Sequence, residues 1–340
     1  MVRPWPLYCT WIILAVGLGG TSAVSGQAAS ERTESDLITR IQAHYRSLGV
    51  PSPDPSELGR AFYPKRLNLP TMMTKIGRYW FIVDSYNNRI LYSDQPHQTL
   101  DQWKLLDGEL SRPHSIAGDG EFFLVDDTEA HSLRVYRDNG SGIERHQLVL
   151  DAGARPHRVW YEPETSTFYS LAANSQELLV MKLQYDSLEV LRRIQLPSIR
   201  GMYVRSFRVI DGKLWLFTAH GIVSVVDLLD PDFHEVARYT VPPELQSLND
   251  MIRVGGRDSP WYATATRNRL SQCRLVVSGK SGGFECREVH SQVGLRGNPY
   301  LFHLEGSRLY LGVVAGRDTI LRMDLSPKGE IASVVDLFSD

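Results

Sequence analysis

The chain has 340 residues, 42% hydrophobic and 22% charged, which excludes disordered, fibrous and collagen-like classes. Its 37 Lys and Arg are balanced by 39 Asp and Glu, for a net charge of −2. That balance excludes the basic surface by which nucleic-acid binders hold phosphate, so no nucleic-acid partner is expected.

The first 26 residues read as a signal peptide: Arg3, an apolar run ending in Gly17, Gly19 and Gly20, then a plausible cleavage site at Val24-Ser25-Gly26. The alternative is a retained membrane anchor, but the run is short for a span of about 20 residues. Cleavage predicts a secreted or periplasmic protein with no stable membrane span. Residues 27–64 follow as a helix and a connector. Leu37, Ile38, Ile41, Tyr45 and Leu48 recur near helical spacing, Gly49 and Pro51 stop the helix, and a Pro-rich stretch follows. This helix would dock on the main domain, or serve it as a lid or partner-binding element.

Residues 65–340 repeat themselves. The stretch Arg112 to Tyr136 opens on Arg-Pro-His and continues as strand, polar turn, apolar strand, polar turn and strand. Arg155 to Met181 repeats it with the same opening, Leu69 to Ser93 is an earlier copy, and looser copies begin near Ser206, Asn249 and Asn298. Aligned on the Pro-His step, the matching positions are Thr71, His114, His157, Phe207, Asp250 and Tyr300, 43 to 50 residues apart. A fourth strand closes each unit. This period and strand count predict an all-β fold, a six-bladed β-propeller with four-stranded blades. One blade buries little apolar surface alone, whereas a ring of blades packs face on face. Runs such as Phe122–Val125 are accordingly apolar at every position rather than alternating.

Asp84, Asn87, Arg89 and Ile90 resemble the NHL repeat, and Asp126 with Arg134 keeps part of that pattern in the second unit. The resemblance implies a propeller, and the Asp and Asn side chains are expected to form turns. Of three cysteines, Cys9 lies in the leader, while Cys273 and Cys286 flank a Gly-rich turn symmetrically. That symmetry places the two thiols opposite each other on adjacent strands, and a disulfide there fits export.

Innermost strands line a propeller's axis, so the aligned residues should converge at one mouth of the central channel. His114, His157, Asp250 and Tyr300 would then supply general acid–base groups near neutral pH. His114, His157 and Asp250 would equally suit a divalent metal, zinc or calcium. Arg112, Arg155 and Arg205 lie two residues before the aligned position, and Arg158 and Arg208 directly after it. Several guanidinium groups at one mouth suggest an anionic ligand held by paired hydrogen bonds, with Asn249 and Asn298 adding neutral contacts. The plainer reading is that duplication copied the Pro-His step, with each His bonding a neighbouring blade and each Arg pairing in a turn. No phosphate loop, nucleophile elbow or dinucleotide fingerprint is present.

The repeated Pro-His openings are similar to those of streptogramin lyases and peptidyl-amidoglycolate lyases, a resemblance that implies axial histidines on a metal. Only His114 and His157 match, and Asp250 would have to replace a third histidine. Gluconolactonase-like propellers imply calcium held by acidic and Asn side chains, and here Thr71 stands where a first-blade acid is wanted. The expected function is binding of an anionic small molecule, sugar or peptide at the His/Arg-lined mouth, with metal-assisted lyase or hydrolase chemistry. The alternative is a non-catalytic ligand- or protein-binding scaffold.

Overall fold

The computed structural model describes residues 66–278 and 281–338. The signal-peptide and N-terminal helix expectations fall outside them.

Among the described residues, twenty-four strands follow one another as six antiparallel four-strand meanders. The first strands of the meanders are Pro70–Ile76, Ile116–Gly118, Pro156–Glu162, Val204–Ile210, Leu248–Arg253 and Asn298–Glu305. Each packs against the first strand of the next meander, and the sixth returns to the first. These are the inner strands, and they enclose the centre of the molecule.

The second strands explain the continuous apolar runs. Phe81, Ile82 and Val83 are fully buried, as are Phe123, Leu124 and Val125. A strand sandwiched between two neighbouring sheets has no solvent face, so both sets of alternating side chains must be apolar. Six hydrophobic clusters fill the junctions. Phe81 meets Phe123 and Tyr136 between the first and second meanders. Trp80 meets Tyr310 and Ile320 between the sixth and the first, which closes the circle. The closing seam is tight: a Cβ on Gly312 would lie 2.4 Å from the Pro70 carbonyl oxygen and 2.7 Å from that of Thr71.

The fourth and fifth meanders are also joined at their outer edges. Arg238–Thr240 pairs in parallel with residues 281–283. The strand carrying residues 281–283 is the far arm of the hairpin that holds Cys273 and Cys286. Those two residues sit directly opposite each other and form a disulfide, Cα to Cα 4.0 Å, as the sequence symmetry predicts.

In the first meander the Asp and Asn side chains tie the polar turn together, as expected of those residue types. Buried Asp84 accepts from the Asn68 amide at 2.7 Å, Asn87 Nδ2 at 2.7 Å and Arg89 Nε at 2.6 Å. In the second meander the partner of Arg134 is Asp127, at 2.8 Å, and not Asp126. The ladder explains the shift. Asp84 and Asp127 each end a second strand and begin a 3-10 turn. Asp126 stands one residue earlier, on the opposite face, and turns inward.

A β-bulge near the start of the inner strands corrects the repeat alignment. The ladder skips Thr71, His157, Arg205 and Asn249 in the first, third, fourth and fifth meanders. In the sixth it skips Tyr300 and Leu301. His114 holds the same place after Pro113. The equivalent residues are therefore Arg205 rather than Phe207, and Asn249 rather than Asp250. Backbone conformation agrees: Leu69, Arg112, Arg155 and Ser247, each two residues before its bulge residue, all have φ between +50° and +68°. Phe207 is fully buried in the cluster between the third and fourth meanders.

Candidate functional site

A bulge turns one side chain out of the strand's alternation and re-aims it. Around the inner ring this presents Thr71, His114, His157, Arg205, Asn249 and Tyr300 at one end of the strands. A belt of hydrogen bonds links them. Thr71 Oγ1 donates to the His114 carbonyl at 2.8 Å, and His157 Nδ1 to the Arg205 carbonyl at 3.0 Å. Arg205 Nη1 donates to Asn249 Oδ1 at 2.5 Å, and Asn249 Nδ2 to the Pro299 carbonyl at 2.7 Å.

Two imidazoles stack at the centre of this belt. The His114 and His157 ring centroids are 4.1 Å apart with 31° between planes. A carbonyl only accepts, so His157 carries its proton on Nδ1. Its Nε2 then accepts the Tyr300 hydroxyl, 3.2 Å away. His114 Nδ1 lies 3.0 Å from Thr128 Oγ1, whose single proton serves Asp126 and the Pro156 carbonyl. His114 must therefore be the donor in that pair. Below it, buried Asp126 accepts from the His114 amide at 2.6 Å and from the Ser115 hydroxyl.

The surroundings keep the two imidazoles and the phenol neutral and work against charge on Asp126. Burial, then the charges of Arg155 and Arg205, lowers the His114 pKa to about 3. Burial, then His114 and Arg205, holds His157 well below the usual histidine range. Burial raises Tyr300 above an ordinary phenol and lifts the Asp126 carboxyl to about 6. Desolvation works against charge of either sign, and the neighbouring guanidinium groups add repulsion to any imidazolium.

The sequence-predicted arginines divide. Arg155 bonds Glu129 at 3.0 Å, and its buried Nε has no hydrogen-bond partner. Arg205 likewise leaves a buried Nε unmatched beside its Asn249 bond. Arg112 stands farther out, its guanidinium 4.9 Å over the Tyr86 ring and 3.8 Å from Glu129. Asn298 does not join the belt; it holds the Asn268 amide at 2.9 Å. Arg158 and Arg208 do not join it either. Directly after a bulge the next residues resume the ladder, and these two reach toward the opposite end of the inner strands. Tyr203, which the sequence reading missed, lies edge-on to His157 at 6.1 Å. It sits two residues before Arg205, the phase of Arg112 and Arg155, and becomes legible only once the fourth repeat is re-aligned.

Asp250 is fully buried and turned away from the histidines. It accepts from Arg208 Nη2 at 2.5 Å, Ser206 Oγ at 3.0 Å and the Phe302 amide at 2.9 Å. A buried carboxylate takes the partners within reach, and here the neighbouring strands supply them. A His114–His157–Asp250 metal set does not fit this arrangement: both His157 nitrogens are engaged and the carboxylate is committed elsewhere. Among the described residues the one three-ligand group is Asp230, Asp232 and His234, on a surface turn.

No family model matches the chain, and no curated protein does. Solved structures do. A candidate 6-phosphogluconolactonase from Bacteroides uniformis superposes with a TM-score of 0.56 at 12% identity, over 81% of this chain and 88% of that one. A second, from Bacteroides fragilis, gives 0.55 at 11%, over 79% and 85%. The hydrazine synthase of Kuenenia stuttgartiensis gives 0.53 at 17%, over 76% and 77%. The fold is that of a β-propeller. At such identities the likeness extends to the fold alone, and the propeller's function has to be argued from its own residues.

Proposed function

We propose that this chain is an exported, six-bladed β-propeller that binds a small organic anion, an acidic sugar or a peptide carboxylate, at the bulge end of its inner strands. One observation carries the reading. Arg155 and Arg205 each present a buried, unmatched Nε beside two histidines held neutral. An unmatched guanidinium proton in a desolvated position is stabilised by a ligand oxygen. Arg112 adds charge at the outer edge, and buried Asn249 holds Arg205 in place. Export is supported by the Cys273–Cys286 disulfide. It implies residues 1–26 as a cleaved leader, 27–64 as helix and connector, and 65–340 as the propeller.

A narrower form of the reading makes the site a lyase or hydrolase. Tyr300 and His157 supply a proton donor hydrogen-bonded to a neutral acceptor. The alternative is a binding scaffold that uses the same end without chemistry.

The test uses D-galacturonate and its neutral counterpart D-galactose, read by calorimetric titration. Galacturonate binds the wild type and galactose does not, while Arg155→Met with Arg205→Met abolishes the difference. Equal affinity for the acid in wild type and double variant would overturn the reading.

A further inference from the structure

The opposite end of the inner strands opens into a funnel of about 400 Å³. Residues near the ends of those strands line it: Ile76 from the first meander, Trp160 from the third, Ile252 from the fifth and His303 from the sixth. Two arginines rise from its floor, and their situations differ.

Arg208 is held through two of its three nitrogens. Nε donates to the Met251 carbonyl at 2.6 Å, and Nη2 to Asp250 at 2.5 Å and the Phe302 carbonyl at 2.8 Å. It is a strut between the fourth, fifth and sixth meanders. Arg158 is equally buried, 2% exposed, and feels the Asp250 and Asp126 carboxylates only at a distance, with no direct partner. Nε has no partner, Nη1 reaches only the Met72 sulfur at 3.2 Å, and no carboxylate lies within ion-pair distance among the described residues. A thioether is a weak acceptor. The Trp160 ring, 5.8 Å from the Arg158 guanidinium carbon, offers a partial electrostatic partner. A buried cation so poorly met is costly, and its retention at the floor of a cavity is explained by a ligand.

The surroundings narrow that ligand. His303 takes the Lys75 amide on Nε2 at 3.2 Å, so its Nδ1 carries the proton and donates to Thr74 Oγ1 at 3.0 Å. It is a neutral wall. Lys75 is paired with Glu305 at 2.7 Å. One guanidinium is therefore left without a direct oxygen partner, in the cavity that Trp160, Ile76 and Ile252 line. We propose that this funnel is a second ligand site of the propeller, taking a monoanionic carboxylate with a flat apolar body: the carboxylate on Arg158, the body against Trp160. A phosphate dianion would bring more charge than one guanidinium answers, with the buried Asp250 and Asp126 carboxylates already acting on it.

The probe is benzoate, with benzamide as the uncharged control, titrated into the full chain by calorimetry and followed by thermal unfolding. Benzoate binds at millimolar concentration and raises Tm, and benzamide does neither. Arg158→Met removes the benzoate effect and leaves unfolding without ligand no worse. Arg158→Lys, which keeps the charge but loses the fork, weakens benzoate about tenfold. It also serves should the Met variant fail to fold. Arg155→Met with Arg205→Met leaves benzoate binding intact, which separates this site from the one at the bulge end. No benzoate binding up to about 10 mM, a range that covers fragment-sized ligands, would overturn the proposal. So would benzoate binding that ignores Arg158, or that is lost only with Arg155 and Arg205.

Discussion

Single side chains at the centre of this propeller are held by partners that cannot be exchanged freely. Tyr300→Phe removes the donor to His157 Nε2 and leaves a buried acceptor unmet, at a cost of about 1–3 kcal/mol. Urea unfolding at neutral pH measures it. The buried histidines also fix a pH response. In the folded state His114 and His303 take up protons only near pH 3, against 6.5 when unfolded. The unfolded chain therefore binds more protons between those values. The stabilisation is present above pH 6.5 and is lost as pH falls toward 3. Denaturation midpoints should drop across that window, and His303→Gln should flatten the drop. A drop equally steep in His303→Gln would contradict the neutral assignment of His303.

Among the strands and hairpins, the outer seam between the fourth and fifth meanders depends on the disulfide. Cys273 and Cys286 tie the arms of a hairpin whose far strand pairs with Arg238–Thr240. The enclosed loop is short, so Cys273→Ser with Cys286→Ser should cost about 2–3 kcal/mol. The loss should be local. Amide exchange should accelerate in residues 281–288 and 238–240 while Leu214–Phe217 stays protected. The strands themselves were legible in the sequence, because two-sided burial leaves unbroken apolar runs such as Phe122–Val125. The disulfide was legible for a related reason: two residues symmetric about a hairpin turn must face each other. The phase of the site was not. A bulge displaces one residue without a compositional mark, and Pro-His flags it only in the second and third repeats. In the fourth and fifth repeats, similarity alone selected Phe207 and Asp250, whereas backbone pairing selects Arg205 and Asn249.

The molecule as a whole stands or falls with its closure. The first inner strand passes directly over Gly312, where a Cβ would meet two carbonyl oxygens. Backbone cannot yield as a flexible side chain does, so Gly312→Val should destabilise by about 1–3 kcal/mol or more. Its effect should reach both the first and sixth meanders, read as a lowered Tm with coincident loss of near- and far-ultraviolet circular dichroism. A change of the same size on an outer strand, such as Leu191→Ala, should leave the melting temperature nearly untouched.

The skipped residues have a further meaning for how such a protein changes over time. Five of the six chemically diverse side chains around the belt sit where the strand-to-strand bonding passes them by, and His114 holds the matching place. Replacing one leaves every rung of its sheet in register. The scaffold thus keeps a set of sockets that stand outside its strand pairing. New chemistry can be tried there, one residue at a time, without shifting the frame's register, at the cost of re-satisfying the neighbour's hydrogen bond.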